Sequence, residues 1–230
     1  MMIQLEVTMK KLLVMLLSLS AGAALLSGCS GNGQEAFEEK SYAVDAAEIA
    51  EVSIDVRDRT LAVSLSPDDQ IHIGYYESDT ESYDIAVSEA GVLTMAAVSD
   101  KNWTDYIGGK ADSESRTISL QIPDGLLPAL TLSTTNEDIS LPALHITDRV
   151  SLTTNGGDIT FEQLDAGSAV TLKAKNGDIR GAILGSYDDY AISCEIKKGD
   201  SSLPAEKEGG EKTLSVSNNN GDIDIDFVRE

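Results

Sequence analysis

Beyond residue 48, apolar side chains alternate with Ser, Thr, Lys or acidic ones along most of the chain. Val52, Ile54 and Val56 flank Ser53 and Asp55, and Leu61, Val63 and Leu65 repeat the pattern, as do Ile71, Ile73 and Tyr75. Tyr83, Ile85 and Val87, then Leu93 and Met95, then Ile118, Leu120 and Ile122 continue it. A period of two is the mark of a β-strand with one buried face. Ser66-Pro67-Asp68-Asp69, Glu89-Ala90-Gly91 and Pro123-Asp124-Gly125 read as turns between these runs. The polar stretch from Ser99 to Ser115 reads as a loop. No segment has the spacing of a long amphipathic helix, so an all-β fold is expected.

From Leu130 the alternation becomes a repeat. Five copies of one phrase begin at Leu130, Val150, Val170, Ile192 and Leu214, and reach an aspartate at Asp138, Asp158, Asp178, Asp200 and Asp222. The steps between aspartates are 20, 20, 22 and 22 residues, and a fixed period of this size marks a repeat architecture. Apolar residues stand eight and six positions before most of these aspartates and one and three after them. Each copy therefore holds a strand, a sharp corner and a second short strand.

The corner residue before the aspartate is Gly157, Gly177, Gly199 or Gly221, with Glu137 the exception. Glycine there predicts a positive φ, and Asn136, Asn176 and Asn220, one residue earlier, also tolerate the left-handed region. Asn-Gly can equally make a two-residue hairpin turn. Hairpins, however, give no reason for whole copies to recur every 20–22 residues. Stacked coils do, because each buries its apolar face only against its neighbours. The expected architecture is a single-domain β-solenoid, or β-helix-like, stack of 20–22-residue rungs, paired in parallel and rising about 4.8 Å per rung.

The start of the chain reads as an address. Lys10 and Lys11 precede an apolar run from Leu12 to Leu26, followed by Ser27-Gly28-Cys29. A short basic region, an apolar core of about 15 residues and a small-residue cleavage site describe a secretory signal peptide. The run is shorter than the roughly 20 residues of a membrane span. Its ending resembles the bacterial lipobox, in which the cysteine becomes the first mature residue and carries the lipid. The alternative is a plain exported cysteine. Met9 reads as the natural start.

A lipidated Cys29 would carry more than one acyl chain, palmitate among them, which suffices for stable anchoring. The expected divisions are a lipoprotein signal peptide over 1–28, a flexible tether over 29–48, an N-terminal strand region over 49–123 and the repeat stack over 124–230, continuous with it. The tether spans roughly 24 Å. Cys194 has no disulfide partner left and stands where other copies have Leu132, Leu152, Leu172 and Val216. It is expected in the core as a small hydrophobe.

The runs over Ile49–Tyr75, the strand-Pro-Asp element at Ile118–Asp124 and the serial Asn-Gly-Asp-Ile corners together resemble the β-strand-repeat family of bacterial envelope proteins, often described as candidate adhesins. The resemblance covers about Ile49 to Val228. It implies a β-solenoid-like fold exposed at the envelope, in some members tied to envelope-stress sensing. It implies no enzymatic activity and brings no catalytic residues. The fourth copy departs from the pattern at Cys194, Lys198 and Ser201, which bears on that copy's geometry.

The net charge is −22; the charged residues before Cys29 are Lys10, Lys11 and Glu6, and their removal leaves 15 basic against 38 acidic residues, a net charge of −23, for the mature chain. Such a surface repels phosphate backbones, and nucleic acid is not an expected partner. It also pushes the domain away from anionic headgroups. Cationic peptides, basic protein surfaces and divalent metals fit this charge; acidity that merely keeps a repetitive β-protein soluble is the plain alternative.

Stacking in register would set Asp138, Asp158, Asp178, Asp200 and Asp222 along one edge about 4.8 Å apart. Neighbouring charges at that spacing repel by about 1 kcal/mol in water. Each carboxylate could offset this by accepting N–H groups of its own corner, or a calcium ion could bridge adjacent copies. No other cofactor is expected. His72 and His145 lack metal-ligand spacing, no nucleophile elbow is present, and carboxylates repeated at equivalent positions look structural rather than like a glycosidase pair.

Tyr75, Tyr76, Tyr83, Trp103 and Tyr106 gather ahead of the repeats. Trp103 and Tyr106, in the polar loop, are candidates for binding, or they cap the open end of the stack. The expected function is that of a non-enzymatic lipoprotein, lipid-anchored to the cell membrane on its extracytoplasmic face. It would act in binding, adhesion or envelope sensing toward an envelope protein, a cationic peptide or a glycan. A structural or accessory protein with no ligand of its own is the alternative, and a carbohydrate-active enzyme a further one.

Overall fold

The period-two runs form strands in the computed structural model, which describes residues 36–99 and 112–229. Ahead of the repeats stand β1 (Glu38–Asp45), β2 (Glu51–Asp55), β3 (Thr60–Leu65), β4 (Gln70–Glu77), β5 (Glu81–Val87), β6 (Val92–Ser99) and β7 (Thr117–Ile122). The repeats supply β8 (Ala129–Thr134), β9 (Ile139–Leu141), β10 (Leu144–Ile146), β11 (Arg149–Thr154), β12 (Ile159–Ala166), β13 (Ala169–Asn176) and β14 (Ile179–Leu184). The chain ends with β15 (Tyr190–Ile196), β16 (Glu206–Lys207), β17 (Lys212–Asn220) and β18 (Ile223–Val228). The fold is all-β. Its helical pieces among the described residues are single 3-10 turns at Ala46–Glu48 and Tyr187–Asp189, and none is long and apolar enough to cross a membrane.

Two nine-stranded sheets result. One runs β1-β4-β7-β3-β9-β12-β14-β18, with β10 beside β12; the other runs β16-β15-β17-β13-β11-β8-β2-β6-β5. Every Asn-Gly-Asp corner passes the chain from the second sheet to the first, so the flanking strands never pair as a hairpin. Instead β8, β11 and β13 pair in parallel with Leu130, Val150 and Val170 opposite one another. Likewise β9, β12 and β14 align Ile139, Ile159 and Ile179. Parallel pairing demands a return path longer than a tight turn, and the 20-residue step supplies it.

Register then makes the core. Met95, Ile54, Leu132, Leu152, Leu172, Val216 and Cys194 form one continuous row across the second sheet. All but Cys194, at 7%, are no more than 2% exposed. The first sheet faces it with Ile118, Leu61, Ile139, Ile159, Ile179 and Ile223, also buried. Each large apolar side chain so buried contributes about 1.5–3 kcal/mol. A slip of one residue would turn a whole row to water.

Three expectations change. Residues 38–45 of the presumed tether are strand β1, antiparallel to β4, with Tyr42 and Val44 packed against the core. The copies are also not layered in chain order: β17 lies between β13 and β15, placing the fifth copy inside the fourth. The physical reason is the fourth copy's weak second strand. There Ser201 makes only a single bridge to Ile223, and Ser202-Leu203-Pro204 continues no ladder. The fifth copy has a full β18 and fills the interior position on β14.

Third, the corner asparagines keep ordinary backbone angles, and Asp58, at φ 53°, is the non-glycine residue with positive φ among the described residues. Gly177, Gly199 and Gly221 do take positive φ, at 145°, 123° and 131°, whereas Gly157 does not. A shared need is closeness. A Cβ on Gly177 would lie 2.1 Å from the Gly157 carbonyl oxygen, and one on Gly221 2.1 Å from that of Gly177.

Gly177→Ala should therefore destabilise by about 3 kcal/mol, since neither backbone can yield. Gly209→Ala, where φ is 84° but nothing lies within 4 Å of the added carbon, should cost about 1 kcal/mol. Urea unfolding midpoints measure both. Equal losses would contradict the close-packed corner.

Candidate functional site

The structure brings all five repeat aspartates to one edge and joins them by hydrogen bonds. The Asp158 amide donates to Asp138 Oδ1 at 2.8 Å and the Asp178 amide to Asp158 Oδ1 at 2.7 Å. The Asp222 amide donates to Asp178 Oδ1 at 2.7 Å, and the Asp200 amide to Asp222 Oδ1 at 2.9 Å. Each of these carboxylates thus accepts from the amide of a neighbouring layer, not from an N–H of its own corner as expected. The order along the edge, 138-158-178-222-200, repeats the strand order. Each of these four amides donates to one neighbouring carboxylate, and a charge-assisted hydrogen bond is roughly twice as strong as a neutral one. That outweighs a repulsion of about 1 kcal/mol between neighbours.

An aspartate ahead of the repeats braces the first corner. Asp58 Oδ1 accepts from Asn136 Nδ2 at 2.6 Å and from Thr135 Oγ1 at 3.3 Å. Glu137, the corner residue that is not glycine, pairs its carboxylate with Arg116 Nη1. Asn176 Nδ2 donates to the Asn155 carbonyl at 3.1 Å, and Asn220 Nδ2 to Asn176 Oδ1 at 2.7 Å. Side chains as well as backbone therefore tie layer to layer.

What this edge offers chemically is limited. One oxygen of each of Asp138, Asp158, Asp178 and Asp222 is committed to an amide, and Asp178 Oδ2 also meets Arg180 Nη2 at 2.6 Å. At the far end Arg180, Asp200, Ser202, Asp222 and Asp224 line an open depression. Among the described residues no three His, Cys, Asp or Glu side chains converge as a metal site. His72 and His145 each meet a separate aspartate, Asp68 at 2.8 Å and Asp165 at 3.8 Å.

The outer face of the second sheet carries a different pattern. Thr94, Ser53, Thr131, Ser151, Thr171, Ser215 and Ser193 stand opposite one another in consecutive strands. No member of the row is charged, strand spacing sets its members about 4.8 Å apart, and on one side Thr131 Oγ1 donates to Glu51 Oε1 at 3.0 Å beside the Glu51–Arg149 ion pair. Two residues along, Ser133, Thr153 and Ser217 extend it among Asp55, Lys173 and Glu195. The signal was in the sequence, as the polar half of each alternation, but only register turns it into a surface.

The aromatic residues divide. Tyr75 of β4 and Tyr83 of β5 meet edge-to-face at 5.5 Å, and buried Arg59 donates from Nε to Tyr83 Oη at 2.7 Å. Burial, opposed by Arg59, raises the Tyr83 phenol above its usual range. Tyr76 Oη donates to Glu114 at 3.2 Å. At the opposite end Tyr190 is fully buried beside Phe227, and burial pushes its phenol up to about 12. Cys194 is a buried free thiol 3.4 Å from Ser201 Oγ. Cys29, Trp103 and Tyr106 lie outside the described residues.

Among solved structures, a candidate cell adhesion protein from Clostridium sporogenes ATCC 15579 aligns over 84% of this chain and 100% of its own, at 10% identity and a TM-score of 0.53. That likeness shows the fold. A candidate adhesin from Bacteroides fragilis NCTC 9343 aligns over 83% and 97%, at 13% identity and a TM-score of 0.30. A candidate lipid-binding protein from Parabacteroides distasonis ATCC 8503 aligns over 83% and 96%, at 13% identity and 0.26; neither of these two is near enough to extend it. No curated protein matches the sequence. The model of the Toastrack DUF4097 family matches residues 49–229, and this chain belongs to that family.

Proposed function

We propose that this chain is a lipoprotein held by Cys29 on the extracytoplasmic face of a bacterial membrane, and that its β domain binds a neutral, hydroxyl-rich polymer of the envelope. The first half rests on the basic, apolar and lipobox-like succession from Lys10 to Cys29. The second rests on one observation: in a chain of net charge −22, seven hydroxyl residues stand in register across consecutive strands with no charged member among them. A flat array of donors and acceptors at regular spacing suits a glycan, whose sugar hydroxyls recur along a stiff chain. We read the copies as rungs of a solenoid-like stack whose regularity serves this face.

The aspartate edge is structural in this reading, not a calcium site, because one oxygen of each of four carboxylates already accepts an amide, Asp178 Oδ2 meets Arg180, and no three potential ligands converge among the described residues. No catalytic role is assigned to it, since four of the five carboxylates accept the same structural amide bond and a glycosidase needs a pair set apart as acid and base.

Two measurements test the proposal. Cys29→Ser should move the protein from the membrane fraction to the soluble extracytoplasmic fraction, and continued membrane retention would reject the anchor. The soluble domain should sediment saturably with insoluble cellulose or chitin. The pair Ser151→Lys and Thr171→Lys should abolish this without shifting the melting midpoint. Failure to sediment with any neutral polysaccharide would favour a spacer with no ligand.

A further inference from the structure

Three Asn-Gly pairs fall within the described residues, and the fold treats them unequally. Asn176 and Asn220 are strand residues that pair with each other across β13 and β17. The Gly177 amide donates to the Asn220 carbonyl at 2.9 Å, and the Gly221 amide to the Lys198 carbonyl at 3.1 Å. Both side chains are tied as well, through Asn176 Nδ2 to the Asn155 carbonyl and Asn220 Nδ2 to Asn176 Oδ1.

Asn155 sits one position earlier in its copy. Strand β11 ends at Thr154, and the phrase continues Asn155-Gly156-Gly157-Asp158, so glycine occupies the slot that asparagine fills in the neighbouring layers. A Cβ at Gly156 would lie 3.0 Å from Asn136 Oδ1. The Asn155 backbone is held, its amide donating to the Thr135 carbonyl at 3.0 Å. Its exposed side chain and the Gly156 amide make no hydrogen bond among the described residues.

We propose that Asn155 is a selective deamidation site. The Gly156 nitrogen attacks Asn155 Cγ, forming a C–N bond as the side-chain amide leaves as ammonia, which takes the proton lost by the Gly156 amide. The resulting five-membered succinimide is opened by one water molecule at either carbonyl, giving aspartate or isoaspartate at 155. No oxidant or cofactor enters. Glycine presents no side chain to hinder the attack, and an amide free of hydrogen bonds can reach it. At Asn176 and Asn220 the attacking nitrogen must first leave a ladder, which requires local opening.

The product matters because of where it forms. Either outcome adds a carboxylate beside the aspartate edge. Isoaspartate also lengthens the main chain just before Gly157, which is packed so tightly that a Cβ there would lie 2.2 Å from the Glu137 carbonyl oxygen. An extracytoplasmic protein left in place would thus accumulate a corner-loosening mark with time.

The test is to age the folded full chain in mildly alkaline buffer, digest it under mild acid, and follow the deamidation mass gain peptide by peptide. The peptide holding Asn32-Gly33, outside the described residues, is scored separately. Asn155 should convert at least about tenfold faster than Asn176 or Asn220, whose rates follow local opening. In urea the three should converge. Gly156→Ala should slow Asn155 several-fold while the folded protein's melting midpoint stays within reach of native. Conversion of Asn155 no faster than the other two in the folded state, or a rate untouched by Gly156→Ala, would overturn the proposal.

Discussion

A carboxylate on one layer accepting the amide of the next is the interaction on which the regular part of this domain depends. Apolar rows alone would hold two sheets together, but they leave a sharp corner in every copy with backbone groups to satisfy and a negative charge in each. The link from the Asp158 amide to Asp138 Oδ1, and its three successors, resolves both at once. Four of the five charges accept a donor that would otherwise need water, and each such donor fixes the height of its layer. The glycines follow from this arrangement, because corners joined amide to carboxylate approach too closely for a Cβ at Gly177 or Gly221.

The ends of the stack are governed by the same constraint in reverse. Where the repeat stops, open strand edges invite association with other chains. One end is covered by antiparallel strands β1, β4 and β5, and the Tyr75–Tyr83 contact packs there with buried Arg59. At the other end β16 runs antiparallel to β15, and Ser202 stands in for a missing strand by bonding the Ile225 amide and carbonyl through its hydroxyl. The incomplete fourth copy serves better as an end piece than as an interior layer, and the chain places it there.

Much of this was legible in the sequence, because strand alternation and the aspartate period are local patterns. Leu132, Leu152, Leu172, Val216 and Cys194 could be aligned by counting, and they do form one buried row. Layer order was not legible. It turns on a competition between Ser201-Ser202-Leu203-Pro204 and Ile223-Asp224-Ile225-Asp226 for the same place on β14, and no period encodes which wins. Strand β1 was hidden because Tyr42 and Val44 alternate within a strongly acidic stretch. The bracing role of Asp58 was missed because β3 to β8 intervene between it and Thr135 and Asn136, which it meets. The hydroxyl row was written in every copy, but its meaning depends on register, a property of pairs of strands.

Amide hydrogen exchange at Asp158, Asp178, Asp200 and Asp222 measures the central claim most directly, since these groups lie outside the strands and their protection can come only from the neighbouring carboxylate. The account predicts exchange nearly as slow as that of Leu152 or Leu172 in the adjoining strands. Exchange as fast as at Gly209, in the exposed turn between β16 and β17, would contradict it.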